Sequence, residues 1–147
     1  MMMRARRNVA PLAGVVLLSA CLNEDIAAEV TASGTANQLL MVAGEAVTFT
    51  CVVAVYRPET AARPPELAPI FEAWSDVPLK GRVNATSIEM RAIGNAGKCW
   101  NAEIRSLSGS ADPRAYIADA APLLSFDHGG LVAIFDASRQ IFMVIDG

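Results

Sequence analysis

LVAIFDASRQIFMVIDG, residues 131–147, holds two apolar runs around a polar knot. Asp136, Ala137, Ser138 and Arg139 separate one run from the other, and β-branched and aromatic residues dominate both sides. That composition suits two strands, and the short polar break suits a hairpin between them. Ile141, Phe142, Met143, Val144 and Ile145 are apolar at both parities. A strand with one wet face alternates apolar with polar residues, so this one is expected to be central in its sheet or covered on both sides.

Working upstream, residues 112–121 open with Asp112-Pro113, an N-cap followed by proline at the first helical position. Tyr116, Ile117, Ala120 and Ala121 give this helix an inward face, and Pro122 limits its length. Residues 88–105 read as a second hairpin. Ile88, Met90 and Ala92 alternate with Glu89 and Arg91, the segment Gly94-Asn95-Ala96-Gly97 turns the chain, and Trp100, Ala102 and Ile104 alternate with Asn101, Glu103 and Arg105. Leu67, Ile70, Phe71 and Trp74 follow the i, i+3, i+4, i+7 rule, so residues 66–77 are expected to be helical, with Pro69 awkward inside them. Val47, Phe49, Cys51, Val53 and Val55 share one face of a strand over residues 47–56, with Thr48 and Thr50 opposite. Thr35 and Gln38 have capping-box spacing ahead of Gly44, which favours a short helix over residues 35–44; Gly44-Glu45 as a two-residue hairpin turn is the alternative. The order β-α-β-β-α-β-β predicts an α+β fold, a mainly antiparallel sheet of about five strands with two or three short helices. No internal repeat is visible.

The N-terminus belongs to a different physical regime. Arg4, Arg6 and Arg7 precede a short apolar run from Val9 to Leu18 that contains Pro11 and Gly14. A membrane-crossing helix needs roughly 20 apolar residues, and this run is about half that. A basic start, a short apolar middle and small residues at the end describe a secretory signal peptide. The run closes on Leu18, Ser19, Ala20 and Cys21, which resembles the lipobox of bacterial lipoproteins. The resemblance covers residues 1–21 only. It implies cleavage before Cys21, a diacylglyceryl thioether on its sulfur and usually a third acyl chain on the new α-amine. An ordinary signal peptide cut after Ala20 is the alternative, but Leu18 fits the A-x-A pattern poorly. One acyl chain holds a protein only marginally, whereas two or three hold it durably. In the sorting rule best known for such proteins, aspartate after the lipidated cysteine retains the chain in the inner membrane. Leu22 therefore leans toward the outer membrane. The expected organisation is a signal peptide over residues 1–20, a lipidated N-terminus and tether over 21–35, and one domain over 36–147.

Three cysteines and the charges narrow the function further. With Cys21 given to lipid, Cys51 and Cys99 remain, and an even pair in an exported chain is a disulfide candidate. Two buried free thiols are the alternative. Three of the 12 basic residues and none of the 15 acidic ones precede Cys21, so the mature chain carries a net charge of −6. There is no basic patch and no basic-aromatic interleaving, so no nucleic-acid partner is expected. There is no C-x-x-C, and His128 is the only histidine, so no metal and no other cofactor is expected.

Residues 127–130, DHGG, look most like chemistry. His-Gly-Gly resembles the oxyanion-hole loop of some esterases, but that loop should precede a G-x-S-x-G elbow, and none occurs. A polar turn, with Asp127 bonding its own backbone, explains the string without catalysis. Ser106, Ser108 and Ser110 offer hydroxyls, yet a nucleophilic serine needs a base in reach and only His128 could serve. Glu66, Glu72 and Asp76 read as the solvated acids of one helix, and Trp74 and Trp100 as core residues. The expectation is a membrane-anchored periplasmic lipoprotein, a non-enzymatic module binding another envelope protein or assisting envelope assembly. Its partners are the lipid bilayer through Cys21 and that second protein, and it should present an exposed apolar patch or a free sheet edge. The competing expectation is a small periplasmic hydrolase using His128 with Asp127 or a hydroxyl of residues 106–110.

Overall fold

The computed structural model describes residues 30–31, 38–44, 51–60, 62–76 and 87–147. The expected leader, Cys21, Leu22 and positions 47–50 of the expected first strand lie outside the described residues. The fold is α+β. A five-stranded antiparallel sheet has the order β1-β2-β5-β4-β3, with β1 at Gln38–Gly44, β2 at Val52–Arg57, β3 at Leu123–Phe126, β4 at Leu131–Asp136 and β5 at Ile141–Asp146. Among the described residues three α-helices lie between β2 and β3 in the chain: α1 at Ser87–Ala96, α2 at Ala102–Ser108 and α3 at Pro113–Ala120.

The 131–146 hairpin forms as its composition predicts, with Asp136 facing Ile141 across the turn. β5 is central, flanked by β2 and β4. Its Ile141, Met143 and Ile145 enter the core on one side of the sheet, with Val53 and Val55 of β2 and Val132 and Ile134 of β4. Ala92, Ile93, Trp100, Ile104, Tyr116 and Ile117 bring the helices onto this side. Phe142 and Val144 enter a second core on the other side, with Ala54, Tyr56, Ala133, Val30 and Phe71. Fully burying one such large apolar side chain is worth about 1.5–3 kcal/mol, which is why both faces must be covered. Burial also pushes the Tyr56 hydroxyl pKa up to about 12.

Over residues 66–76 the cover on the second face is not a helix. Residues 66–76, expected to be helical, run as an irregular strap laid over the sheet and along its edge. Leu67 bridges Thr31, Ser75 bridges Leu124 of β3, and the Glu72 amide donates to the Phe126 carbonyl at 3.0 Å. Proline disfavours helical backbone in the residue before it, so Pro69 works against the helix that the apolar spacing suggests. Ile70, placed on the expected inner face, is 60 % exposed. Trp74 tucks back instead, its Nε1 donating to the Pro65 carbonyl at 2.9 Å and its ring tilted against Phe135.

The expected hairpin over residues 88–105 is also replaced. Residues 87–96 are α1, Gly97–Cys99 a single 3-10 turn, and 102–108 α2. Glu89, Ala92, Ile93 and Ala96 are all buried, a stripe at i, i+3, i+4, i+7 that a strand could not make. The Asn101 side chain caps α2 by accepting from the Ile104 amide at 2.9 Å, and Gly109 ends it at φ 68°. Asp112 caps α3 as expected, accepting from the Ala115 amide at 2.9 Å, with Pro113 first in the helix. Ala121, read as inward-facing, is exposed and stops α3 in the left-handed region at φ 45°.

Residues 38–44 are an edge strand, not a short helix, and no two-residue turn follows Gly44, which pairs with Val52 across seven intervening residues. Residues 123–126 form a strand that the apolar pattern did not suggest. The strand count thus agrees with expectation while two of the expected strands are helices. Val30 is fully buried and Thr31 bridges the strap, so the folded domain includes these two residues. No helix of the described residues is long and apolar enough to cross a membrane.

Candidate functional site

Cys51 and Cys99 are joined in a disulfide, with their Cα atoms 6.2 Å apart and a sequence separation of 48. Cys99 closes the 3-10 turn after α1. The bond fastens the start of β2 to the helical layer. Beside it Val42, Ala43, Gly44, Lys98, Cys99 and Asn101 line an open cleft of about 550 Å³.

His128 does not stand alone. It sits at φ 63°, in the left-handed region. The Asp127 carboxylate accepts from the Gly129 amide at 2.8 Å and from the Leu131 amide at 2.9 Å. Those bonds are the local turn bonds expected of an aspartate there, and they occupy the Oδ1 that would otherwise orient an imidazole. The ring instead lies between two glutamates. Its Nδ1 is 2.9 Å from Oε1 of Glu89, and its Nε2 is 3.6 Å from Oε2 of Glu72. The first contact is poorly aligned for a hydrogen bond and the second is too long for one. Glu89 is fully buried on α1, Glu72 is about three-quarters buried on the strap, and the imidazole is half exposed.

The remaining candidates are dispersed. Ser106 is exposed on α2. Ser108 is buried, its hydroxyl accepting from the Ser110 amide at 3.3 Å. The Ser110 carbonyl accepts from Trp100 Nε1 at 3.0 Å, so this loop clamps a core tryptophan. Among the described residues no hydrogen bond links any of these serines to His128. Glu66 and Asp76 are exposed, and of the three strap acids only Glu72 reaches the histidine. No group of three His, Cys, Asp or Glu suited to a metal ion occurs among the described residues. Glu89 escaped the reading of the sequence because it was placed on the wet face of a strand. The buried stripe at 89, 92, 93 and 96 was the available signal, and an acid within it was the clue that α1 buries a charge.

A second polar cluster locks the 131–146 hairpin to α3. Asp136, only 3 % exposed, accepts from Tyr116 Oη at 2.9 Å, Ser138 Oγ at 2.7 Å, the Arg139 amide at 3.1 Å and Arg139 Nη1 at 3.0 Å. Burial works to raise the carboxyl pKa, but the four hydrogen bonds outweigh it and hold the group below its ordinary value. Burial, then the Asp136 charge, pushes the Tyr116 hydroxyl far upward, so it remains a proton donor. The Arg139 guanidinium sits 5.9 Å from the centre of the Tyr116 ring. Every group in this cluster is used by another, which suits a fastening and leaves nothing directed at a ligand.

No family model matches the chain, and no curated protein and no solved structure matches it either.

Proposed function

We propose that the chain is an exported lipoprotein, anchored through acylated Cys21 and facing the periplasm, more readily on the outer membrane than the inner. Its folded domain is a non-enzymatic module that binds another envelope protein or assists envelope assembly. The lipobox-like close of the leader carries this reading, because it assigns one cysteine of three to lipid. The disulfide between the other two supports it, since such bonds persist in oxidising compartments outside the cytosol. Residues 22–29 reach at most about 28 Å even when fully extended, which would keep the domain close to the bilayer.

The sheet edge supports the binding half of the proposal. β1, QLLMVAG, contains no charge and no proline, the devices by which sheets usually protect an edge. Its outer side pairs with no described strand, and Leu39 on it is 40 % exposed. The hydrolase reading has less support: Asp127 is committed to its own turn, and the serine loop to Trp100.

Two experiments test the parts separately. Cys21→Ala should abolish metabolic labelling by a fatty acid and release the domain from membranes; labelled or membrane-retained variant would refute the anchor. For binding, a photo-crosslinking residue at position 39 should give a discrete adduct in intact cells. The same residue at Ala137, exposed at the tip of the β4–β5 hairpin, should give none. Equal adducts from both positions, or none from position 39, would remove β1 as the binding edge.

A further inference from the structure

We propose that Cys99 is the point of entry for thiol–disulfide exchange in this protein: an incoming small-molecule thiol forms a mixed disulfide on Cys99, and Cys51 leaves. The two sulfurs of the bond stand in different surroundings. Cys51, just ahead of β2, is 0 % exposed and belongs to the core that holds Val53, Ala96 and Trp100. Cys99, at the end of the 3-10 turn, is partly exposed and lines the open cleft of about 550 Å³. A cleft of that size takes a molecule as large as a tripeptide thiol. Lys98, exposed and on the same lining, adds a positive charge that attracts an anionic thiolate.

Two effects pull in opposite directions. When a thiolate attacks one sulfur of a disulfide, the other departs as a thiolate, and the step is faster when the departing group ionises more readily. A thiol in apolar surroundings ionises less readily than an exposed one. Leaving-group chemistry alone therefore favours attack on Cys51 and departure of Cys99. Access favours the reverse. The attacking sulfur must come into bonding contact with its target, and a fully buried sulfur is reached only by opening the core around it. Such opening draws on a large share of the folding stability, which outweighs a difference in leaving-group quality. Access therefore decides, and the attack falls on Cys99.

The step balances between the two reactants. The thiolate RS⁻ bonds to Cys99 Sγ, the bond from Cys99 Sγ to Cys51 Sγ breaks, and its electron pair leaves on Cys51, which takes a proton from water. The products are a Cys99–S–S–R mixed disulfide and a Cys51 thiol. A second RSH attacking that mixed disulfide releases RSSR and a Cys99 thiol, which completes a two-electron reduction by the thiol. Val52, next to Cys51, is paired with Gly44 of β1 and with Asp146 of β5. Exchange therefore unties the helical layer from the start of β2 while β2 stays held in the sheet by its neighbours. The site lies within the folded domain and does not depend on the lipid anchor.

Mapping the mixed disulfide in the unmutated protein tests this. Purified folded protein is incubated with reduced glutathione at mildly alkaline pH, quenched with N-ethylmaleimide in acidic denaturant, and digested for mass spectrometry. Glutathione should be found on Cys99 and maleimide on Cys51, in excess of the reverse arrangement by about ten to one or more. In protein denatured before glutathione is added, both sulfurs are open and the preference should shrink to within about threefold. Adducts on the two cysteines in comparable yield, a preference for Cys51, or a preference unchanged by denaturation would overturn the proposal. So would the absence of any mixed disulfide from folded protein at a glutathione concentration that modifies the denatured chain.

Discussion

Replacing Asp136 by alanine removes the acceptor of four hydrogen bonds, and the structure sets what that costs. Tyr116 is fully buried, so its hydroxyl loses its partner where water does not reach, a cost of about 1–3 kcal/mol. Breaking a fully buried ion pair costs about 3–5 kcal/mol, but Arg139 is 36 % exposed and recovers much of its hydration. Ser138 and the Arg139 amide sit on a turn and can bond to water. The total is about 2–4 kcal/mol, a loss of roughly 10–20 °C in Tm for a domain of this size. Asp136→Asn keeps one carbonyl oxygen and places an amide N–H₂ against Arg139, so it should lose less than alanine but still fall below wild type. The pH dependence separates charge from shape. The folded carboxyl lies below its ordinary value, so its contribution is complete above the unfolded pKa of about 3.9 and is lost as pH falls through the folded pKa. Urea denaturation at pH 6 and pH 3 should show the gap between wild type and Asp136→Asn narrowing in acid. A cost under about 1 kcal/mol for alanine, or a gap that does not change with pH, would refute the reasoning.

Two further predictions follow from the disulfide and from one glycine. Replacing both Cys51 and Cys99 by alanine should cost up to about 4 kcal/mol on the chain-entropy argument for a 48-residue separation. A urea midpoint indistinguishable from wild type would show that the bond constrains nothing. Gly130 stands at φ 115°, where an added Cβ is strained and would also lie 3.4 Å from the Gly147 carbonyl. Gly130→Ala should therefore destabilise by about 1–3 kcal/mol, and thermal melts showing no loss would contradict the backbone geometry.

The parts of the fold legible in the sequence are those where one local signal had no rival. Asp112-Pro113 has one sensible use, the start of a helix, and it starts one. Ile141 to Ile145, apolar at both parities, had to be central, and β5 is. The misread parts carried two signals each. In β1 the register shifts between Leu39 and Met41, so Leu40 and Met41 both pack toward the helical side, and the alternation that would have announced a strand is broken. In the strap, helical spacing at 67, 70, 71 and 74 competed with Pro69, and backbone sterics prevailed over periodicity. In α1, strand-like alternation over 88–92 competed with the stripe 89, 92, 93 and 96. Gly94 seemed to settle the matter as a turn residue, but its role is spatial. A Cβ there would lie 3.2 Å from the Arg114 guanidinium of α3, so glycine lets the two helices approach.

The candidate site shows the same division between what a residue is and what surrounds it. His128 drew attention as the only histidine that could serve a serine as base, and it does lie against a buried acid. Its neighbours in sequence were the wrong partners to consider. Asp127 is adjacent and has no use for the ring, whereas Glu72 and Glu89 lie 56 and 39 residues upstream and hold it from two sides. Only the tertiary fold brings the strap, α1 and the β3–β4 turn together. Glu89 in particular could be found only after α1 was recognised as a helix, because burial of that acid is a property of the helical face and vanishes in the strand reading. A polar residue at a position that the correct periodicity buries is therefore evidence of a partner. Here the His128 ring, with Nδ1 2.9 Å from Oε1 of Glu89, is one such neighbour.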